Sequence, residues 1–496
     1  MRVFASVLFL LYATSDEWSE FRKLSKDRDP DRRCEAVEKI RPLASLEMVQ
    51  ALLPLLGDPH PRVRKRAAEA IARSSPASGV EFLAKSGLRH PHRWVRANAA
   101  SCLGALGDPK AAPALAASLA DPDPDVRAAA CASLATLGAD DVAGKVASLA
   151  ERDPAWIAKA AAVEALASID GRAGDRVAAI AVTDKTWQVR LSAARAAPLL
   201  DPAVGLQVCV TALGDTDWRV RVQAIESSCL VRDRALIGAI VDLLAKEKGR
   251  LRWDAWLALR DLTGKELGLE PAHWKRWWDA NKETFDVPPP ATAGAPPEDR
   301  PAGETGVQFF SLPILSTRME FVLDLSGSMR DPAPGQANQS KLDVAKRETG
   351  KTFGLLPEGA WFNVLLLGCD TEGRYPTDQK KWKRTLHPAT PAGRAEAAAY
   401  LNRQEARGWT NIWDGIELAF EDDLVDTIYL YTDGGASRGT FVMTADILDE
   451  LARMNRFRKI MIHTVEVAAE KPNTADNVRL LKLIAERTKG LYRLAK

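Results

Sequence analysis

Apolar positions in the first half of the chain recur at helical spacing, and the helical stretches themselves recur. Val63-Arg64, Val95-Arg96, Val126-Arg127, Val189-Arg190, Val220-Arg221 and the variant Leu251-Arg252 stand 31 or 32 residues apart when Ile157 is taken as the missing member. Such a period predicts a solenoid, because one short unit cannot bury its apolar face without stacked neighbours. Each unit opens on a turn such as Asp58-Pro59 or Asp121-Pro122, where proline suits a helix start. It continues with Ala and Leu at helical spacing, as at Leu103 and Leu106, ends near a glycine such as Gly107, and adds a second helix such as 112–119. A divergent first copy at Asp29-Pro30 brings the array to about eight units within residues 16–262.

Two side-chain columns follow the repeat. The recurring arginine is read as pairing with an Asp of an adjacent unit, ahead of a basic ladder facing an acidic partner, and Ala158 interrupts the column. Trp94, Trp156, Trp187 and Trp218 fall just before the aligned aliphatic position. Packing between repeats is the first reading, and a partner-binding surface the second, since tryptophan often anchors interfaces. Residues 263–285 read as a capping helix, with Trp274, Trp277 and Trp278 on one face after Pro271. Residues 286–306 carry Pro288-Pro289-Pro290, Pro296-Pro297 and Pro301 without periodicity, and predict an extended linker between separate domains.

Beyond the linker, 307–496, the pattern changes to short apolar runs alternating with helical stretches. Strands are expected at 321–323, 361–367, 427–432, 459–467 and 491–494, and helices at 341–356, 391–404, 412–420, 444–454 and 475–489. This alternation predicts a mostly parallel sheet covered on both faces, with ligands outside the carboxyl ends of its strands.

At the end of the first of these strands, Met319 to Met329 reads Met-Glu-Phe-Val-Leu-Asp-Leu-Ser-Gly-Ser-Met. Asp324, Ser326 and Ser328 bring one carboxylate and two hydroxyls together at a strand end, a hard oxygen set suited to Mg²⁺. Three ligands do not complete an octahedron, so other loops, waters or a partner must contribute. Thr410, in Gly408-Trp-Thr-Asn, and Asp433, in Thr432-Asp-Gly, are the best suppliers.

Asp324-x-Ser326-x-Ser328, Gly408-x-Thr410 and Thr432-Asp433-Gly434, in this order, resemble the metal-ion-dependent adhesion site (MIDAS) of von Willebrand factor A domains. The resemblance covers roughly 317–496, and that to short HEAT-like repeats roughly 17–262. Together they imply a multidomain chain, an N-terminal all-α HEAT-like solenoid followed by a C-terminal α/β, doubly wound, Rossmann-like von Willebrand A domain. They also imply direct coordination of Mg²⁺ or Mn²⁺ by Ser326 and Ser328. Asp324, Thr410 and Asp433 would bind directly or through water, and an Asp or Glu of a partner protein would take the open position. Gly368-Cys369 departs from the aromatic residue and serine common in the family and leaves the metal set intact.

Composition narrows the function classes. Lys and Arg total 68 against 66 Asp and Glu, so no charge excess calls for nucleic acid. The six cysteines form no Cys-x-x-Cys pair and read mainly as small buried residues. Residues 1–15 combine Arg2, an uncharged run from Val3 and small residues at Ala13 and Ser15, a signal-peptide pattern that predicts export to the periplasm or outside the cell. The run is too short to span a bilayer, and no integral membrane segment is expected. Gly435-Ala-Ser437-Arg-Gly439, with His463 downstream, matches a nucleophile elbow by letter but lacks the tight strand-to-helix turn. Gly350-Lys351-Thr352 is only a fragment of a phosphate loop. The expectation is a non-enzymatic, adhesion-type protein with the helical scaffold as a second interaction surface. The alternative is an accessory subunit of an ATPase or chelatase-like complex.

Overall fold

The computed structural model describes residues 16–74, 76–289, 306–368, 381–467 and 475–495. The leader at 1–15, most of the proline-rich linker and Cys369 lie outside the described residues. The chain forms two compact units, one ending at Val231 and one running from Arg232 to Lys496.

The first unit is the solenoid. Successive helix pairs include Pro124–Leu137 with Ala143–Arg152, Trp156–Ile169 with Gly171–Ala181, and Trp187–Ala196 with Pro202–Leu213. Aspartate caps open several helices: Asp123 accepts from Asp125 N before Pro124–Leu137, and Asp201 from Ala203 N before Pro202–Leu213. Gly107 and Gly138 close theirs at φ +71° and +62°, where a residue with a Cβ is disfavoured. Small residues set the spacing between units. A Cβ on Gly104 would lie 2.5 Å from Ser133 Oγ, which donates to Ala100 O at 2.8 Å.

Three arginines of the column, and Arg33 of the divergent first copy, pair with aspartates inside the array, while Arg64, Arg221 and Arg252 donate to backbone carbonyls. Arg33 meets Asp58 at 2.8 and 2.8 Å, Arg96 meets Asp121 at 2.7 and 2.9 Å, Arg127 meets Asp153 at 2.7 and 2.7 Å, and Arg190 meets Asp215 at 2.6 and 2.7 Å. These are two-pronged, charge-assisted bonds, and each reaches an Asp 25 or 26 residues ahead. Where the column was read as broken, Lys159 donates to Asp184 at 2.5 Å, while Ala158 is the fully buried aliphatic position. The repeat register in that unit is one residue later than the spacing predicts, because Ala158, and not the larger Ile157, faces the core. Three of the four column tryptophans are covered by arginines of the array, whereas Trp156 is 37% exposed. Arg64 lies 4.4 Å over Trp94, and Arg219 lies 3.8 Å over Trp187 and 5.6 Å from Trp218.

The second unit begins with helices Arg234–Lys246, Gly249–Thr263 and Pro271–Asn281. Trp274 is fully buried and donates to Gly268 O at 2.7 Å, and Trp278 packs so closely on Gly238 that an added Cβ would sit 2.8 Å from its Nε1. Short antiparallel pairs are formed by β1 Gln308–Phe309 with β2 Leu312–Pro313, and by β4 Pro332–Ala333 with β5 Gln336–Ser340. The six-stranded sheet has the order β10-β9-β8-β3-β6-β7, where β3 is Arg318–Asp324, β6 Trp361–Leu367, β7 His387–Pro388, β8 Thr427–Thr432, β9 Met461–Val467 and β10 Tyr492–Ala495. All neighbours are parallel except β6 and β7. Met319, Phe321 and Leu323 of β3 enter one core with the helices Lys341–Leu355 and Pro391–Asn402. Val322 enters the other core with Ile412–Ala419, Thr444–Arg458 and Ala475–Arg487. Both faces are thus covered, which is why these strands read as unbroken apolar runs.

The compact boundary therefore falls well before the linker at which the sequence divided the chain. Arg250, read as part of the last repeat, is 5% exposed, lies 3.2 Å from the Asp254 carboxylate, and donates to Asp426 O at 2.5 Å and to Lys459 O. Gly249, at φ +61°, brings its backbone against Leu315 O. These bonds join the Gly249–Thr263 helix to the sheet domain, a contact across more than 170 residues that no local pattern reveals.

Candidate functional site

Asp324 ends β3 and Thr432 ends β8, adjacent strands whose carboxyl ends open onto the same loops. Backbone bonds lock those loops together. Gly327 N donates to Gly408 O at 3.0 Å and Arg407 N to Leu325 O at 2.6 Å, while Ser437 N donates to Thr410 O at 3.0 Å. Thr410 N donates to Ser437 Oγ at 3.1 Å. Gly439, at φ +116°, has Asn411 Oδ1 only 2.1 Å from where a Cβ would stand, so only glycine permits this approach.

Within this frame Ser326 Oγ lies 3.1 Å from Ser328 Oγ, and Ser328 Oγ donates to Asp433 Oδ1 at 2.9 Å. Asp324 Oδ1 accepts from Ser326 N at 2.7 Å and Oδ2 from the Thr432 hydroxyl at 2.5 Å. Asp324, Ser326, Thr410 and Asp433 are all buried, while Ser328 is exposed at the mouth. The structure thus links four of the five expected residues by hydrogen bonds or a close hydroxyl contact. It sets Thr410 in the loop packed directly beside them.

The electrostatics are unbalanced. Burial pushes the Asp324 carboxyl up to about 6, the Thr432 hydrogen bond opposes that rise, and the nearby Asp433 charge adds to it. Among the described residues the one ammonium bonded to these two carboxylates belongs to Lys341, whose Nζ donates to Asp433 Oδ2 at 2.7 Å and lies 3.7 Å from Asp331. Two carboxylates, two serine hydroxyls and a threonine form a hard donor set, which fits Mg²⁺ or Mn²⁺. Among the described residues no group of three or more His, Cys, Asp or Glu side chains comes together, so any metal chemistry here depends on the hydroxyls.

Lys341 and the Thr432 hydroxyl are the functional groups that sequence reasoning missed. A lysine directly after a serine that caps a helix was the available signal, since a cation is disfavoured at a helix N-terminus without a compensating anion. The elbow-like Ser437 instead braces Thr410, and the next helix begins only at Thr444. His463 is buried on β9, stacked 4.8 Å from Tyr429, with Nδ1 accepting from Leu491 N.

Comparison with known proteins finds similarity at the level of repeats and of partial relatives. Residues 20–86 and 80–167 match HEAT repeats. Inter-alpha-trypsin inhibitor heavy chain H3 of Rattus norvegicus is 32% identical over 148 residues, 27% of this chain, and the chain spans only 15% of that relative's length. A von Willebrand factor type A structure from Catenulispora acidiphila is 22% identical, with 37% of this chain and 40% of that one covered and a TM-score of 0.29. The CpcE–CpcF complex of phycocyanin lyase from Nostoc is 23% identical, with 47% of this chain and 94% of that chain covered and a TM-score of 0.30. The N-terminal region is a helical solenoid with HEAT repeats at 20–167, and the C-terminal domain is a mixed α/β sheet.

Proposed function

We propose that this is a non-enzymatic interaction protein whose sheet domain binds a partner carboxylate through Mg²⁺ or Mn²⁺. Ser326 and Ser328 would hold the ion directly, with Asp324, Thr410 and Asp433 direct or through water. The ion would supply a positive, incompletely saturated centre for an Asp or Glu of the partner. Asp324 orients Ser326 through its backbone N–H, and Thr432 fixes the other Asp324 oxygen, so the chain itself presets the donors. The observation that carries the reading is the Ser326–Ser328–Asp433 run of close oxygens at two adjacent strand ends. The HEAT-repeat solenoid would offer a second interaction surface, and the leader-like 1–15 makes export part of the proposal.

Calorimetry on the full chain tests the reading. Wild type should bind Mg²⁺ or Mn²⁺, and Asp324→Ala should lose measurable binding while circular dichroism stays unchanged. Equal binding by both proteins, or by neither, rejects it.

A further inference from the structure

We infer that Lys341 is a built-in cation of this site that competes with the divalent ion for Asp433. The inference rests on the metal reading above and extends it to what limits affinity. Lys341 is the first residue of helix Lys341–Leu355, yet its side chain is 2% exposed, and that of Asp433 3%. A buried ammonium at a helix N-terminus faces both a desolvation penalty and an unfavourable dipole, and it persists only where an anion offsets them. Asp433 is that anion at 2.7 Å, and Asp331, largely exposed at 3.7 Å, is a weaker second.

The backbone also holds Lys341 in place. Its N–H donates to Asp331 O at 3.0 Å, and its carbonyl accepts from the Tyr431 hydroxyl at 3.2 Å. Tyr431 lies on β8, two residues before Asp433. The lysine is thus tied both to the loop after β3 and to the strand that carries its partner. Both Asp433 oxygens are occupied, Oδ1 by Ser328 and Oδ2 by Lys341. A divalent ion that uses Asp433 must share that carboxylate with a fixed positive charge or displace it. Lys341 thereby steadies the site when the ion is absent and weakens its hold when the ion is present.

Calorimetry with Mg²⁺ and Mn²⁺ on full-length wild type, Lys341→Gln and Lys341→Arg separates charge from packing. Lys341→Gln should bind at least tenfold more tightly, and Lys341→Arg within about threefold of wild type. Lys341→Gln should also melt lower without ion and show a larger ion-induced rise in melting temperature. A measurement on wild type covers the case in which Lys341→Gln does not fold. Labelling by an amine-reactive reagent, read by mass spectrometry, should rise at Lys341 when Mg²⁺ saturates the protein. Equal or weaker binding by folded Lys341→Gln overturns the inference and leaves the metal reading standing, as does unchanged labelling of a wild type that binds Mg²⁺. If neither wild type nor Lys341→Gln binds either ion, the metal reading fails and takes this inference with it.

Discussion

Carboxylates in the solenoid and carboxylates at the ends of the central strands have opposite surroundings. In the repeats the aspartates of the column, Asp58, Asp121, Asp153, Asp184 and Asp215, are matched. Asp153 takes two bonds from Arg127 and a third from Ala155 N, and Asp58 does the same with Arg33 and His60 N. One residue thereby ties a unit to its predecessor and caps its own turn. At the ends of the central strands Asp324 and Asp433 have, among the described residues, one bonded ammonium between them, and burial and mutual repulsion raise the Asp324 pKa. Matched pairs have nothing left to offer a ligand and act as structure. An excess of negative charge, held in place by buried strands, is what a cation site requires.

Glu320 lies between these cases. It is fully buried on β3, with Asn363 at 3.3 Å and Lys381 at 3.8 Å, while its Oε2 has no hydrogen-bond partner among the described residues. Desolvation pushes it up to about 8, against the partial opposing effect of Lys381. It is a buried acid that favours its neutral form.

The largest expected effect comes from unmatching a repeat pair. Arg127→Leu leaves Asp153, whose side chain is 5% exposed, without its counter-charge, and should cost about 2–4 kcal/mol of solenoid stability in urea titrations. Adding Asp153→Asn should recover part of that loss. Full additivity would mean that the pair is not the unit of stabilisation.

Next in size is a pH effect at Glu320. Its folded pKa of about 8 stands above the ordinary 4.5, so its contribution is fully present below about 4.5 and is lost as pH rises through about 8. Glu320→Gln should remove this slope and stabilise the protein at pH 8 by about 1–3 kcal/mol, given about 1.4 kcal/mol per pKa unit as the ceiling. Parallel melting curves for both proteins from pH 5 to 8.5 would contradict it.

The smallest effect is expected at Thr410. Removing one neutral donor from the unbalanced site, in Thr410→Ala, should weaken Mg²⁺ binding by about three- to tenfold, on the scale of one net hydrogen bond. A loss as complete as that expected for Asp324→Ala would place the threonine, and not the charge imbalance, at the centre of the site.

Much of this molecule was legible in order along the chain. The 31-residue spacing, the Asp-Pro turns and the Ala-rich helices specify a stacked array, because each unit's apolar face repeats what its neighbour needs. Alternating runs from Met319 onward specify the covered parallel sheet and put Asp324 and Thr432 at strand ends. The Ser326–Ser328 spacing could be read because its contacts are local. Other features depended on residues far apart in sequence. Ala158 against Ile157 differed only in which one faced the core. Arg250 found its partners at Asp426 and Lys459, and Glu320 found Lys381 and Asn363.

Lys341 marks the division most sharply. Sequence determined that it starts a helix after Ser340, since capping needs only neighbours within three residues. That its ammonium meets Asp433, 92 positions on, followed from packing the helix Lys341–Leu355 against β8. Periodicity and caps are set by short-range geometry and survive as pattern. The balance of buried charge is a sum over residues that only the folded chain brings within reach of one another.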